Sequence, residues 1–68
     1  MRITLNGDTR ELPGPMTVSA LLAHLDIDGR LVAVELNRVV VRRAAYATTT
    51  IEDGAEVEIV NFVGGGRA

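Results

Sequence analysis

Apolar and polar residues alternate over residues 1–5, where every second position is Met, Ile or Leu. A period of two buries one face of a strand and leaves the other in water, so the pattern predicts a first β-strand. Asn6-Gly7 follows it, and both residue types accept the positive φ angles that a type I′ turn needs. The sequence therefore predicts a β-hairpin whose second strand covers residues 9–12.

A helical pattern follows the loop that Pro13-Gly14-Pro15 imposes. Thr17 is placed to cap this helix, because its hydroxyl can accept a free amide of the first turn. Residues 26–29 are expected to close the helix, with Gly29 suited to a left-handed exit. The apolar positions recur at intervals of three and four and form one helical stripe: Val18, Leu21, Leu22 and Leu25.

The second half of the chain predicts three more strands. Residues 32–36 are nearly continuous in apolar content, which is typical of a central strand, and Val39-Val40-Val41 is β-branched. Residues 56–60 alternate again and form the predicted last strand. Tyr46 is expected to anchor the segment before that strand to the core. Turns are predicted at Asn37-Arg38 and Asp53-Gly54.

Composition narrows the functional classes. The 68-residue chain has no cysteine and one histidine, so thiolate and histidine metal sites are not expected. A formal net charge of −2 argues against a nucleic-acid partner. No apolar run is long enough for a bilayer and no signal-peptide pattern opens the chain, so we expect one soluble cytoplasmic domain without a membrane partner. An enzyme is the least expected class, because so small a chain has little volume for a pocket.

Acidic residues cluster just before the C-terminal glycines, at Glu52, Asp53, Glu56 and Glu58. A solvated strand face is one explanation for such a cluster. The functional alternative is a negative patch that steers the C-terminal tail into a basic partner. Glu56, Glu58 and the expected exposed Phe62 are therefore candidate partner contacts.

The candidate chemistry lies in Gly64-Gly65-Gly66. Glycines lack β-carbons, so they can enter a narrow channel in a partner enzyme. A carboxylate at the end of such a tail is ionised at neutral pH and can attack the α-phosphate of ATP, after which a sulfur donor can displace AMP and leave a thiocarboxylate. No side chain of this protein is needed, so we expect no catalytic residue, no metal and no cofactor bound by the chain itself. A disordered end or a linker would have the same composition, and the position directly after the last predicted strand favours the functional interpretation.

The chain resembles the ThiS family, the sulfur carriers of thiamine biosynthesis, over nearly its whole length. The likeness is carried by ITLNG at residues 3–7, TVSALL at 17–22, VAVELN at 32–37, and IEDGAEVEIV at 51–60 followed by FVGGG at 62–66. The last segment is the most specific, because it is similar to the family's acidic turn, last strand and glycine terminus in order and spacing.

The resemblance implies an α+β fold of the β-grasp (ubiquitin-like) type. In this fold a mixed sheet of four to five strands has one main helix across a face, and the first and last strands pair in parallel at its centre. We expect a β-grasp domain over residues 1–61 and a flexible C-terminal glycine tail over residues 62–68.

The resemblance also implies a chemistry and its partners. A ThiF-like adenylyltransferase would activate the terminal glycine with ATP, a cysteine desulfurase would supply the sulfur, and a ThiG-like thiazole synthase would receive it for the thiazole ring of thiamine. Gly66 would carry the thiocarboxylate, while Gly64, Gly65 and Gly66 enter the partner's active site. The protein would be a substrate and carrier, not an enzyme.

Arg67-Ala68 depart from the family, whose members end at glycine. With these residues attached, the arginine side chain should not fit a narrow channel, and activation is not expected. Two explanations compete: a protease removes Arg67-Ala68, or they are an extension that is foreign to the carrier.

Two other functions fit the same pattern. The small subunit of molybdopterin synthase, or a carrier for another sulfur metabolite, shares the fold and the tail. Molybdopterin-synthase subunits often have proline just before the glycines, and Asn61-Phe62-Val63 has none, which favours the thiamine system. In the other alternative the chain is a non-carrier ubiquitin-like binding module with an inert tail, which binds through a sheet face or through the edge at residues 39–41.

Overall fold

The computed structural model describes residues 1–61. Seven strands, one α-helix and two short 3₁₀ helices make up this part of the chain. In chain order they are β1 (Arg2–Leu5), β2 (Asp8–Glu11), β3 (Met16–Thr17), α1 (Val18–His24), a 3₁₀ helix (Gly29–Leu31), β4 (Val32–Leu36), β5 (Val39–Val41), a second 3₁₀ helix (Arg43–Ala45), β6 (Thr50–Ile51) and β7 (Glu56–Asn61).

The main sheet has five strands in the order β2-β1-β7-β4-β5, so the last strand lies at its centre. β1 and β7 pair in parallel, with Thr4 opposite Glu56, and the other three pairs are antiparallel. This confirms the β-grasp fold and the parallel pairing of first and last strands. Residues 32–36 form an interior strand as predicted, although β7 rather than β4 occupies the centre of the order.

The helix is short and depends on packing. Thr17 caps it as predicted, because its hydroxyl oxygen accepts the Ala20 amide at 3.1 Å. A seven-residue helix is not stable alone in water, and each side chain buried beneath it contributes about 1.5–3 kcal/mol. The fully buried side chains of the core are Ile3, Val18, Leu21, Val34, Ile51 and Val57.

The helix exit differs from the prediction. The left-handed residue is Asp26, with a φ of 61°, and not Gly29. Gly29 instead opens the first 3₁₀ helix, where an added β-carbon would lie 3.2 Å from Leu22 Cδ1 and 3.5 Å from a Tyr46 ring atom. Glycine at this position therefore relieves a tight contact and is not needed for a positive φ.

Tyr46 anchors the irregular segment as predicted. Its ring is buried, and its hydroxyl donates to the Val32 carbonyl at 3.3 Å. Two features here were not predicted, namely the second 3₁₀ helix and the two-stranded β3–β6 ladder that joins Met16 to Ile51. Within residues 1–61, no helix has the length and apolar content required to cross a membrane.

Candidate functional site

The candidate glycine tail begins where β7 ends, at Asn61. Phe62 and Gly64-Gly65-Gly66 lie outside the described residues, so the part of the predicted site that the structure contains is the strand leading to them. β7 pairs with β1 on one side and with β4 on the other. The tail therefore follows a strand that is paired on both sides.

Asn6 holds β7 close to its C-terminal end. β1 ends at Leu5 and the chain turns away at Asn6, whose φ is 49°. The Asn6 carboxamide then takes the place of a backbone partner, because its Oδ1 accepts the Ile59 amide at 2.7 Å and its Nδ2 donates to the Ile59 carbonyl at 3.2 Å. The sequence predicted Asn6 only as a turn residue. Its contact with Ile59 joins two residues that are 53 positions apart in the chain.

Asn37 holds the other end of β7 from the opposite side. Its φ is 51°, and the neighbouring Arg38 has a φ of 71°, so both residues adopt the turn conformation that was predicted for them. Asn37 Oδ1 accepts the Glu56 amide at 2.9 Å, and the Asn37 amide donates to the Glu56 carbonyl at 2.7 Å. Two asparagines at hairpin turns thus fix the start and the end of the same central strand.

The register places Asn61 opposite Val32, directly after the first 3₁₀ helix. Asp28 caps that helix, and both of its carboxylate oxygens contact the Arg30 guanidinium, at 3.1 and 2.7 Å. The side-chain hydrogen bond from Arg30, followed by the bond from its backbone amide, lowers the pKa of the Asp28 carboxyl to about 2. Arg43 donates to the Arg30 carbonyl at 3.3 Å. Charged groups held by hydrogen bonds therefore lie on the loop beside the end of β7.

Two of the four clustered acidic residues lie together on the sheet face opposite the helix. Glu56 and Glu58 are half-buried there, and Glu35 joins them from β4, where it stands directly opposite Glu58 in the register. Together with Arg38 and Val60 they line a shallow hollow of about 360 Å³. We refer to Glu35, Glu56 and Glu58 as the acidic face.

The acidic face carries uncompensated charge. Arg38 Nε lies 3.4 Å from Glu56 Oε1, but the arginine side chain is 84% exposed, and such surface pairs contribute only about 0–1 kcal/mol. Like charges directly opposite in a ladder, as Glu35 and Glu58 are, destabilise a sheet. Glu35 was not predicted as part of this face, although its place between inward-facing Val34 and Leu36 marks it as outward-facing.

The other two clustered acids have different surroundings. Asp53 lies in the turn before β7, where its Oδ1 accepts the Arg2 amide at 2.8 Å. Glu52 lies beside this turn and lines another hollow, apart from the acidic face. Within the described part of the chain, no three histidine, aspartate or glutamate side chains are grouped so that they could hold a metal ion. Residues 1–61 thus offer a firmly held strand and a charged surface for recognition.

Comparisons with known proteins agree with this arrangement. The ThiS family model matches residues 3–66. Over 65 residues the chain is 34% identical to the sulfur carrier protein ThiS of Bacillus subtilis, covering 94% of this chain and 98% of that protein. A crystal structure of the thiamine biosynthesis protein ThiS from Geobacter metallireducens superposes with a TM-score of 0.85 and 39% identity, covering 97% of this chain and 100% of that one.

A second group of relatives is much longer. The chain is 46% identical over 66 residues to a thiazole synthase of Paramagnetospirillum magneticum, which covers 97% of this chain but 20% of that protein. A thiazole synthase of Magnetococcus marinus is 36% identical over 67 residues, or 21% of its length. The chain therefore spans about a fifth of the length of the thiazole synthases that it matches.

Proposed function

This chain belongs to the ThiS family of sulfur carriers in thiamine biosynthesis, and on that premise we propose that it carries sulfur as a thiocarboxylate on Gly66. The observation that carries the proposal is the continuity of the family match through the central strand and on to Gly66. The chain is then a substrate of its partner enzymes and contributes no catalytic group of its own.

The proposed cycle begins with a free carboxylate on Gly66. One carboxylate oxygen attacks the α-phosphorus of ATP, which is bound by a ThiF-like adenylyltransferase, and pyrophosphate leaves. A hydrosulfide ion, which a thiol reductant releases from the persulfide of a cysteine desulfurase, then attacks the acyl carbon, and AMP leaves with the bridging oxygen. The thiocarboxylate finally delivers its sulfur to a ThiG-like thiazole synthase. The ThiS-like segment within the thiazole synthases above supports this acceptor.

In this sequence the Gly66 carbonyl is joined to Arg67 by a peptide bond. A carboxylate at Gly66 therefore requires hydrolysis of the Gly66–Arg67 bond, and we assign that step to a protease. A passage that is shaped for Gly64, Gly65 and Gly66 would also exclude the side chain of Arg67, so activation requires its removal.

The acidic face supplies the docking part of the proposal. A partner surface with lysine or arginine side chains would neutralise the repulsion between Glu35 and Glu58 and would steer the encounter. Glu56 and Glu58 lie on β7, which ends at Asn61 immediately before Phe62 in the sequence, so a partner that binds this face would be close to the start of the tail. Glu56, Glu58 and Phe62 are accordingly the proposed contacts.

Intact mass spectrometry of the protein from its native host tests the carrier chemistry. We expect a species that ends at Gly66 with one oxygen replaced by sulfur. A single species that retains Arg67 and carries no sulfur would instead favour a binding module with an inert tail.

A reconstituted reaction tests the role of the glycines. A chain that ends at Gly66 is mixed with the ThiF-like enzyme and ATP, and pyrophosphate release is measured. We expect release with the natural chain and a loss of release with Gly66→Ala, whose thermal unfolding should be unchanged. Normal activation of the alanine variant would contradict the narrow-channel argument.

A further inference from the structure

The last part of β7 extends beyond its neighbour on one side. β1 and β7 pair as far as Leu5 and Val57, and β1 ends at that point. β7 continues to Asn61, and β4 accompanies it to that residue on the other side. Among the described strands, the regular ladder beyond Val57 therefore lies on the β4 side of β7.

Asn6 takes the place of a strand on the β1 side. Its backbone amide donates to the Val57 carbonyl at 2.8 Å, which extends the pairing by one bond. Its carboxamide then accepts the Ile59 amide at 2.7 Å and donates to the Ile59 carbonyl at 3.2 Å. One residue therefore holds β7 at two successive positions, through its main chain at Val57 and through its side chain at Ile59.

The distance of this anchor from the reacting end gives it a functional meaning. Ile59 precedes Gly66 by seven residues in the sequence, which span at most about 23–25 Å when extended. Ile59 is also the last residue of β7 that has both Asn6 on one side and β4 on the other. Without the carboxamide, the last bond on the β1 side would be the one at Val57, nine residues before Gly66.

We propose that Asn6 is a positioning residue for the carrier reaction, because it fixes the point from which the tail leaves the sheet. The inference rests on the proposed function, in which a partner binds the acidic face and receives Gly66. Such a partner binds more tightly when the sheet and the start of the tail are already held in one arrangement, since ordering a loose segment costs binding free energy. Asn6 does not contact the reacting atoms and acts through Ile59.

A positioning role has a kinetic signature. Asn6→Gly deletes the carboxamide and keeps a residue that accepts the positive φ of 49°. We expect the KM of the ThiF-like enzyme for the carrier to rise about two- to tenfold, which is the effect of one net hydrogen bond that must be recovered on binding. The kcat should be unchanged, because the Gly66 carboxylate that attacks ATP is unaltered. A rise in KM alone indicates a loss of binding that ground state and transition state share.

The test uses the chain that ends at Gly66, the ThiF-like enzyme and ATP, and measures pyrophosphate release over a range of carrier concentrations. Thr17→Ala is the matched control, because it removes the cap of α1 at a similar cost in stability and leaves the bonds at Ile59 intact. Asn6→Asp keeps an acceptor for the Ile59 amide and should restore most of the affinity. The temperature is one at which thermal melting shows every variant to be folded, and exchange of the Ile59 amide reports whether the anchor is lost.

We expect a raised KM in Asn6→Gly, a KM close to that of the unsubstituted chain in Asn6→Asp, and no change in Thr17→Ala. An unchanged KM in Asn6→Gly, together with faster exchange of the Ile59 amide, would overturn the positioning role and leave the proposed function intact. Equal rises in Asn6→Gly and Thr17→Ala, or a loss confined to kcat, would overturn it as well. Absence of pyrophosphate release from the unsubstituted chain would contradict the proposed function and the positioning role together.

Discussion

Replacing Asn6 with glycine separates the two roles of this residue. Glycine accepts the positive φ that Asn6 adopts in the turn, so the hairpin remains possible. The substitution deletes the carboxamide, and with it the 2.7 Å bond that accepts the Ile59 amide and the 3.2 Å bond to the Ile59 carbonyl. The end of β7 then loses its partner on the β1 side.

The expected cost follows from these two bonds. Each intramolecular hydrogen bond contributes a net 0.5–1.5 kcal/mol on average, and Asn6 is exposed, so water partly replaces both. We therefore expect Asn6→Gly to lower the free energy of unfolding by about 1–2 kcal/mol. For a domain of this size each 1 kcal/mol lowers the melting temperature by about 4–8 °C.

Amide hydrogen exchange distinguishes the local loss of the Ile59 hydrogen bonds from a general loss of stability. The Ile59 amide loses its hydrogen-bond acceptor in Asn6→Gly. Its protection factor should therefore fall further than the protection factors of the core amides. The additional decrease should be on the order of tenfold, since 1.4 kcal/mol corresponds to a factor of ten. Asn6→Asp keeps an acceptor oxygen and should retain most of the Ile59 protection.

Gly7→Ala is the matched control. It strains a residue whose φ is 87°, in a place where an added β-carbon meets nothing within 4 Å, and it leaves the Asn6 carboxamide intact. We expect it to cost about 1–2 kcal/mol without a selective effect on Ile59. Equal loss of Ile59 protection in Gly7→Ala and Asn6→Gly would refute the assigned role of the carboxamide.

Three further changes are predicted. Thr17→Ala removes the helix cap and should lower the free energy of unfolding by about 0.5–2 kcal/mol, measured in urea. Glu58→Gln removes the repulsion from Glu35 and should raise the melting temperature, with the gain shrinking at high salt; an unchanged melting temperature at low salt would contradict it. Because its folded pKa is lowered from 3.8 to about 2, the stability that Asp28 contributes is complete above pH 3.8 and is lost as pH falls through about 2. Titration of the Asp28 carboxyl by NMR should give a midpoint at about pH 2, and Arg30→Gln should raise the pKa of this carboxyl.

The parts of the fold that local patterns determine were predictable. β1 and β7 alternate because each has one face on the core, and Asn6-Gly7 marks its hairpin because few residues accept positive φ. The β3–β6 ladder was not predictable, since two-residue strands have no period to detect. The prediction for Gly29 was wrong because the feature that distinguishes this position is a tight contact with Leu22, which no local sequence rule contains.

The candidate site also combines features that the sequence predicts with features that only the folded sheet shows. The glycine motif and the acids of β7 are visible in the sequence, because they are consecutive or nearly so. The pairing of Glu35 with Glu58, and of Asn6 with Ile59, depends on the register of strands that are far apart in the chain. A one-residue shift in register would separate both pairs, so only the folded sheet could reveal them.

The central position of β7 has a mechanical consequence for a carrier. In the proposed cycle the tail enters a partner's active site, so any pull on the tail would be transmitted to β7. Inter-strand hydrogen bonds run across the strands, so a pull along a strand that is paired on both sides loads many bonds at once. A tail that continued from β2 or β5 would have a partner strand on one side only. The asparagines at both ends of β7 add bonds where the regular ladder stops. We therefore expect β7 to keep its place in the sheet when a partner binds the tail.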